Sequence, residues 1–213
     1  MGLYKKGILG YFRGKVGTVV GAVMNGIYYM RSLPDFGEDN PTVPQMNVRL
    51  KMTLIGSWLK LLKAQIRVGF QSFNKGTTPF AAAMGYHLKN AVTGVAPDFT
   101  IDYTKVVISV GDLDKINSPG VATTEDAQLD FSWLANGSLQ YGAATDKLTF
   151  VVYNPAKMEF AFSVGLVQRS ALSYDMMLPV AWSGDEVEAW LSVVSHNGKV
   201  VSNSQYLGST AVL

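Results

Sequence analysis

The chain has 213 residues, of which 48% are hydrophobic and 16% are charged, and it contains no cysteine. This length and composition predict a folded protein of one large or two small domains, without long disordered tails. The lack of cysteine excludes disulfides, thiolate nucleophiles and cysteine-ligated metals within this sequence. No apolar run reaches the roughly 20 residues that span a bilayer. Neither an apolar segment nor a cleavage site follows Lys5 and Lys6, so we expect synthesis in the cytoplasm without a signal peptide.

The formal net charge of +2 conceals a strong asymmetry between the two halves. Residues 1–97 hold 12 Lys and Arg against three acidic residues, a net charge of +9. Residues 98–213 hold six Lys and Arg against 13 acidic residues, a net charge of −7. Two explanations stay open: the halves attract each other or identical neighbours, or the first half binds an external anionic partner.

The segment 10–26, GYFRGKVGTVVGAVMNG, contains clustered glycines beside Lys15, as phosphate-binding loops do. A phosphate-binding loop needs the spacing G-x-x-x-x-G-K-[ST] and a following helix. Here Gly10 and Gly14 are only four positions apart, Lys15 precedes Val16, and β-branched residues follow. The glycines are therefore better explained by backbone geometry than by nucleotide binding.

The same segment predicts a β-hairpin. A strand is expected over Val16–Val23, with Gly17 and Gly21 on one face, and a second strand over Ile27–Arg31. Asn25-Gly26 between them is a strong signal for a two-residue turn, because both central positions need positive φ. Glycines on one face of a strand indicate a bulge or a close approach of other groups.

A helical region follows, and it carries a basic stripe. One helix is predicted from Gln45 to about Phe70 and a shorter one over Phe80–Val92. The apolar residues of the first helix recur at steps of three and four: Leu50, Leu54, Trp58, Leu61, Leu62 and Ile66. Four basic residues project together on its opposite side: Arg49, Lys60, Lys63 and Arg67. This stripe is either a solvated face or a binding surface for phosphate or an acidic protein.

After Pro97 the pattern changes to short strands separated by turns. We predict strands over Thr104–Val110, Ala127–Trp133, Lys147–Tyr153, Met158–Val164, Ala171–Pro179, Glu186–Ser195 and Lys199–Leu207. Seven short strands in about 110 residues are typical of an immunoglobulin- or fibronectin-like sandwich. The predicted fold class is α+β, with a basic hairpin and two-helix region over 1–97 and a β-sandwich domain over 98–213. The open edges of such a sandwich are docking surfaces for other chains.

Catalytic and metal-binding patterns are weak in this sequence. A Ser-His-acid triad needs a histidine, and only His87, in the second helix, and His196, in a turn, exist. Asp112 and Asp114 hint at calcium, but Ile116 occupies the third ligand position of an EF-hand loop. A looser loop site for calcium stays open. We therefore predict no catalytic residue, no metal site, no cofactor and no enzymatic activity.

Motifs at both ends of the chain resemble a family of uncharacterised proteins from Bacteroidota. The N-terminal motifs are Gly14-Lys-Val-Gly17, Asn25-Gly26 and Tyr29-Met-Arg-Ser-Leu-Pro34, followed by Asn40-Pro-Thr42, Gln45 and Arg49. The C-terminal motif runs from Ala189 to Leu207 and includes Ser202-x-Ser204-x-Tyr206. The resemblance spans nearly the whole chain and implies that this architecture recurs in other proteins. It offers no catalytic residue to carry over.

These observations favour a non-enzymatic structural or assembly protein. It would associate with itself, most simply as a homo-oligomer, or dock on a larger particle such as a phage virion. The expected interface residues are Gly17, Gly21, Arg31, Arg49, Lys60, Lys63 and Arg67. The alternative is a module that binds a protein or glycan through sandwich loops and is anchored by the basic region. An anionic surface fits the basic stripe. Nucleic acid is a less favoured partner, and binding to it would show a steep loss of affinity with salt.

Overall fold

The structure is a computed structural model that describes residues 2–4, 7, 10–24, 26–35, 37–73 and 76–213. It contains two compact units, Met1–Pro44 and Gln45–Leu213. The sequence predicted a boundary at residue 97. In the structure, residues 45–97 belong to the same unit as residues 98–213, because the helices and strands share a hydrophobic core.

The first unit is a four-stranded antiparallel sheet. Its strands are β1 (Leu3–Tyr4), β2 (Phe12–Val16), β3 (Val19–Met24) and β4 (Ile27–Ser32), in the order β1-β2-β3-β4. The predicted hairpin is confirmed, since Met24 pairs with Ile27 and Gly26 has φ 82°. Asn25 lies outside the described residues.

The single strand predicted over Val16–Val23 is wrong. Val16 pairs with Val19, so Gly17 and Thr18 form a tight turn between β2 and β3. Gly17 has φ 57°, a left-handed conformation that glycine adopts without steric cost. Gly17 and Gly21 therefore do not lie on one face of a strand, because the first is a turn residue and the second a strand residue.

The second unit begins with three helices. They are α1 (Val43–Leu61), α2 (Lys63–Gly69) and α3 (Pro79–Asn90), with a short 3₁₀ turn at Gln71–Phe73. The long helix predicted from Gln45 to Phe70 is thus interrupted at Leu62, whose N–H donates to Leu59 O in an i→i−3 bond. Thr78 caps α3 by accepting a hydrogen bond from Ala81 N, and Pro79 occupies the first turn.

The apolar face of the first helix differs in part from the predicted one. Its buried residues are Ile55, Trp58, Leu59, Leu62 and Ile66. Leu50 and Leu61, which the periodicity placed on this face, are exposed. Steps of three and four fit two overlapping stripes on a helix rich in leucine, and only packing against the sheet selects one of them.

The remaining strands form one small and two larger antiparallel sheets. Their bounds are β5 (Val92–Val95), β6 (Asp98–Ile101), β7 (Asn117–Ala122), β8 (Gln128–Leu134), β9 (Lys147–Asn154), β10 (Glu159–Gln168), β11 (Ser173–Met177), β12 (Glu186–Val194) and β13 (Gln205–Ala211). One larger sheet has the order β10-β9-β12-β13 and the other β11-β8-β7, while β5 and β6 pair with each other. The unit is therefore a mixed α+β fold with mainly antiparallel strands.

The four-stranded sheet of this unit is covered on both faces. Phe150 and Leu191 pack with Phe131 of the three-stranded sheet in one core cluster. Val151 and Trp190, which alternate with them along β9 and β12, pack with the helices in a second cluster. Because strand residues alternate between faces, the sheet separates the helical side of the unit from the three-stranded sheet.

The strand predictions for this unit need four corrections, of which the first is the hairpin of β5 and β6, which was not predicted. Thr104–Val110 is not a strand, because its N–H groups bond elsewhere: Val107 N to His87 Nε2 and Ile108 N to Ser204 Oγ. Strand β7 was missed, since Pro119 and Gly120 in it resemble a turn; proline is tolerated there because β7 is an edge strand. The last strand begins at Gln205 rather than Lys199.

Candidate interaction surfaces

The predicted basic stripe is divided between two helices. Arg49 lies in α1, Lys60 in its last turn, and Lys63 and Arg67 one turn apart in α2. The side chains of Lys60, Lys63 and Arg67 are exposed. We call these three residues the basic helical face; Arg49 is exposed too but lies well before them along α1.

A groove adjoins the basic helical face. It has a volume of about 760 Å³ and contains Lys63, Arg67, Val68 and Phe80 in its lining. Gln71 also lines the groove, and its buried Nε2 has no hydrogen-bond partner among the described residues. The lining thus combines apolar residues with two cationic side chains.

The three-stranded sheet carries the opposite charge. On its outer surface Asp130 of β8 lies opposite Asp175 of β11, while the alternate residues Leu129 and Met176 face the core. Glu125 and Asp126 are exposed in the loop before β8. Strands β7, β8 and β11 contain no Lys or Arg. We call Glu125, Asp126, Asp130 and Asp175 the acidic sheet face.

Local hydrogen bonds fix one carboxylate of this face. Asp130 accepts hydrogen bonds from Thr124 Oγ1 and from Gln128 Nε2, the latter at 2.7 Å. These two bonds lower the pKa of Asp130 below its ordinary value, because they stabilise the ionised form. This face was not predicted from the sequence. The available signal was the alternation in Gln128–Leu134, where the outward positions include an aspartate and no basic residue.

The sheet of the first unit exposes its apolar residues. Among the described residues of this unit only Gly21 is buried. Every residue of β4 is exposed, including Ile27 and Met30, at 70% each. We call β1–β4 the apolar sheet. A small sheet in water normally needs one face packed on a core, so this exposure indicates an interaction surface.

The predicted interface residues of the first unit have distinct roles. Gly21 pairs with Gly14, and a Cβ at Gly21 would overlap the carbonyl oxygen of Phe12 and lie 2.8 Å from its Cδ2. Gly21 thus allows β2 to approach β3. Arg31 lies in the outer strand β4 opposite Val20, and it is exposed.

A polar cleft of about 1040 Å³ contains the loop that hinted at calcium. Asp112, Asp114, Asp146 and His196 contribute to its lining. Asp114 Oδ2 accepts from the N–H groups of Gln140 and Tyr141 at 2.6 and 2.8 Å, so this carboxylate organises the loop. Among the described residues no group of three or more His, Asp or Glu side chains is placed to share a metal ion.

A buried arginine holds the loops of this cleft together by hydrogen bonds. Arg169 donates to Lys115 O at 3.1 Å and to Asp114 O at 2.6 Å. Burial lowers the pKa of Arg169, while the nearby charges of Asp146 and Asp114 raise it. Asp146, also buried, accepts from Ala143 N at 2.7 Å and from His196 N at 3.1 Å. The charged groups here satisfy backbone groups of the loops.

Comparison with known proteins gives a family and one weak structural likeness. The model of a family of unknown function, DUF6266, matches residues 11–208. No curated protein matches the sequence. Among solved structures, the twitchin kinase region from C. elegans (Fn31-NL-kin-CRD-Ig26) is 10% identical, with a TM-score of 0.36. That likeness covers 47% of this chain and 17% of the twitchin chain.

No helix within the described residues is long and apolar enough to cross a membrane. The expectation of an uncharacterised family is confirmed, because the family match spans nearly the whole chain. The chain belongs to DUF6266, a family of unknown function.

Proposed function

We propose that this chain is a non-enzymatic structural protein that associates with further copies of itself, as a homo-oligomer or as part of a larger particle such as a virion. Its two packed sheets would form an immunoglobulin- or fibronectin-like sandwich, which serves as the rigid body of each subunit. In this proposal the apolar sheet is the part that becomes covered when subunits associate.

One observation carries the proposal: the apolar sheet has no core of its own. Its strands present large side chains to solvent, and Gly21 is the single buried residue among those described in this unit. Covering such side chains removes apolar surface from water at about 25 cal/mol per Å². Among the described strands β4 lies at the edge of the sheet, and edge strands favour pairing with another strand.

A second copy of the chain is the occupant we favour. The two halves of the sequence have net charges of +9 and −7, so copies of one chain carry surfaces of both signs. Complementary charges guide association and set the register of partners. Self-association therefore needs no additional component.

The test is light scattering coupled to size-exclusion chromatography over a range of protein concentrations. We expect an oligomer or larger particle for the unmodified chain, and weaker association for Ile27→Thr/Met30→Thr, which keeps β-branched or strand-compatible residues in β4. The control is Val95→Thr, since Val95 is 81% exposed but lies outside the apolar sheet. A monomer at every concentration would overturn the proposal.

A second candidate function is glycan binding in the polar cleft. Tyr141, which is 58% exposed, lines the cleft together with Asp112, Gln140 and Asn203. An aromatic face beside polar groups suits a sugar ring, which has apolar and hydroxyl-bearing sides. Saturable binding to a glycan array by a stable monomer, lost in Tyr141→Ala, would favour this function over assembly.

A further inference from the structure

We propose that subunits associate head to tail, with the basic helical face of one copy seated on the acidic sheet face of the next. This inference rests on the proposed self-association and deepens it, because it names a second contact between copies, in addition to the one that covers the apolar sheet. Both surfaces belong to the second unit.

The basic helical face is an open site for carboxylates. Lys60, Lys63 and Arg67 are exposed, and none of the ion pairs found between described residues involves them. The arrangement can donate several hydrogen bonds to an acidic partner, and arginine does so in a bidentate manner.

The acidic sheet face has the complementary chemistry. Asp130 and Asp175 are directly opposite each other on adjacent strands, and like charges in this position are destabilising. Glu125, Asp126 and Asp175 are exposed, and none of the ion pairs between described residues includes them. A cationic partner would remove this repulsion.

Apolar residues accompany the charges on both surfaces. Val68, 41% exposed, lines the groove of the basic helical face. Met177, 70% exposed, lies on the same side of β11 as Asp175. A central apolar contact surrounded by charged pairs is the usual construction of a protein interface.

The positions of the two faces determine the kind of assembly. The helices pack on one side of the four-stranded sheet of the second unit, and the three-stranded sheet packs on its other side. Each copy therefore offers one surface of each sign, on opposite sides of the same sheet. A contact between two different surfaces is heterologous, and its repetition gives a ring or an open filament.

The test uses two charge-reversed variants of the full chain. One is Lys60→Glu/Lys63→Glu/Arg67→Glu, and the other is Glu125→Lys/Asp126→Lys/Asp175→Lys. Asp130 is kept because it accepts local hydrogen bonds. Each variant alone places like charges on both meeting surfaces. In the equimolar mixture every contact between unlike variants is again attractive.

We expect light scattering to show association of each variant alone weakened at least about tenfold, and association restored by mixing the two. A control with the same change of net charge as the first variant is Lys89→Glu/Lys115→Glu/Lys147→Glu, at exposed positions outside the basic helical face and its groove. It should associate like the unmodified chain. Circular dichroism checks the fold, and the neutral variants Lys63→Gln/Arg67→Gln and Asp175→Asn replace any reversal that fails to fold.

The outcomes separate this inference from the proposed function. If the unmodified chain associates and both reversed variants do so equally well, the head-to-tail contact is wrong while self-association stands. The same conclusion follows if mixing restores nothing. If the unmodified chain is a monomer at every concentration and salt level, both proposals fail.

Discussion

Asp130 on β8 and Asp175 on β11 lie directly opposite each other on the outer surface of the three-stranded sheet. Two carboxylates in this relationship repel each other, while hydrogen bonds from Thr124 and Gln128 stabilise the ionised form of Asp130. Sequence alternation fixes their outward direction, since Leu129 and Phe131 on either side of Asp130 are buried. In the proposed head-to-tail contact a cationic surface would remove the repulsion.

The first prediction concerns this pair. Replacing Asp175 by Asn should stabilise the isolated subunit by about 0.5 kcal/mol at low salt, because one of two opposed charges is removed. The gain should diminish at high salt, where exposed charges are screened. Urea denaturation of dilute protein measures it, with Asp126→Asn in the preceding loop as the control. A loss of stability in Asp175→Asn would contradict the predicted repulsion.

The second prediction is that the helices and strands of the second unit unfold together. Leu59 is fully buried against the sheet, whereas its neighbour Leu61 is 53% exposed. Leu59→Ala should reduce the free energy of unfolding by about 2–5 kcal/mol, and helical and strand signals should unfold together. Leu61→Ala, the matched control, should change stability little. Circular dichroism and tryptophan fluorescence monitor both; separate transitions would show that residues 45–97 fold apart from the strands.

The third prediction concerns the contribution of His87 to the pH dependence of the free energy of unfolding. Its Nδ1 donates to Ala83 O at 2.7 Å, and its Nε2 accepts from Val107 N at 3.3 Å, which is the pattern of a neutral ring. Burial lowers the pKa of His87 below its ordinary value of 6.5, although the bond to Ala83 acts in the opposite direction. The unfolded chain therefore binds a proton that the folded chain does not.

The contribution of neutral His87 to the free energy of unfolding is accordingly complete above pH 6.5. It declines as the pH falls from 6.5 toward the folded-state pKa. Thermal unfolding between pH 7.5 and pH 5 should show this decline at roughly 1.4 kcal/mol per pH unit at most. His87→Gln should flatten the slope. An unchanged slope in His87→Gln would assign the titration to another group.

The fourth prediction concerns Gly21. Alanine there should separate β2 from β3, because its Cβ would overlap the carbonyl group of Phe12. Hydrogen exchange should become faster for the amides of the apolar sheet while those of the second unit stay protected. Gly137→Ala is the control, since a Cβ at Gly137 meets nothing within 4 Å. Normal protection of β2 and β3 in Gly21→Ala would disprove the close approach.

Local chemistry in the sequence predicted those features that depend on neighbouring residues. The turn at Gly26 and the strands β8 and β12 follow from the φ requirement of a tight turn and from period-two patterns. The exposure of Lys60, Lys63 and Arg67 agrees with their projection, whereas the interruption at Leu62, which divides the stripe between α1 and α2, does not follow from spacing. Thr104–Val110 shows the limit: its β-branched residues favour a strand, yet its N–H groups bond to His87 and Ser204 from distant parts of the chain.

The sequence by itself determined the α+β class, the opposite charges of the two halves and the hairpin that turns at Gly26, since each depends on residue type and short-range geometry. Only the tertiary structure decided which stripe of α1 is buried, that Asp130 meets Asp175, and that residues 45–97 join the strands in one unit. These features depend on contacts between residues far apart in the chain, and pairing and burial select them from several locally equivalent arrangements.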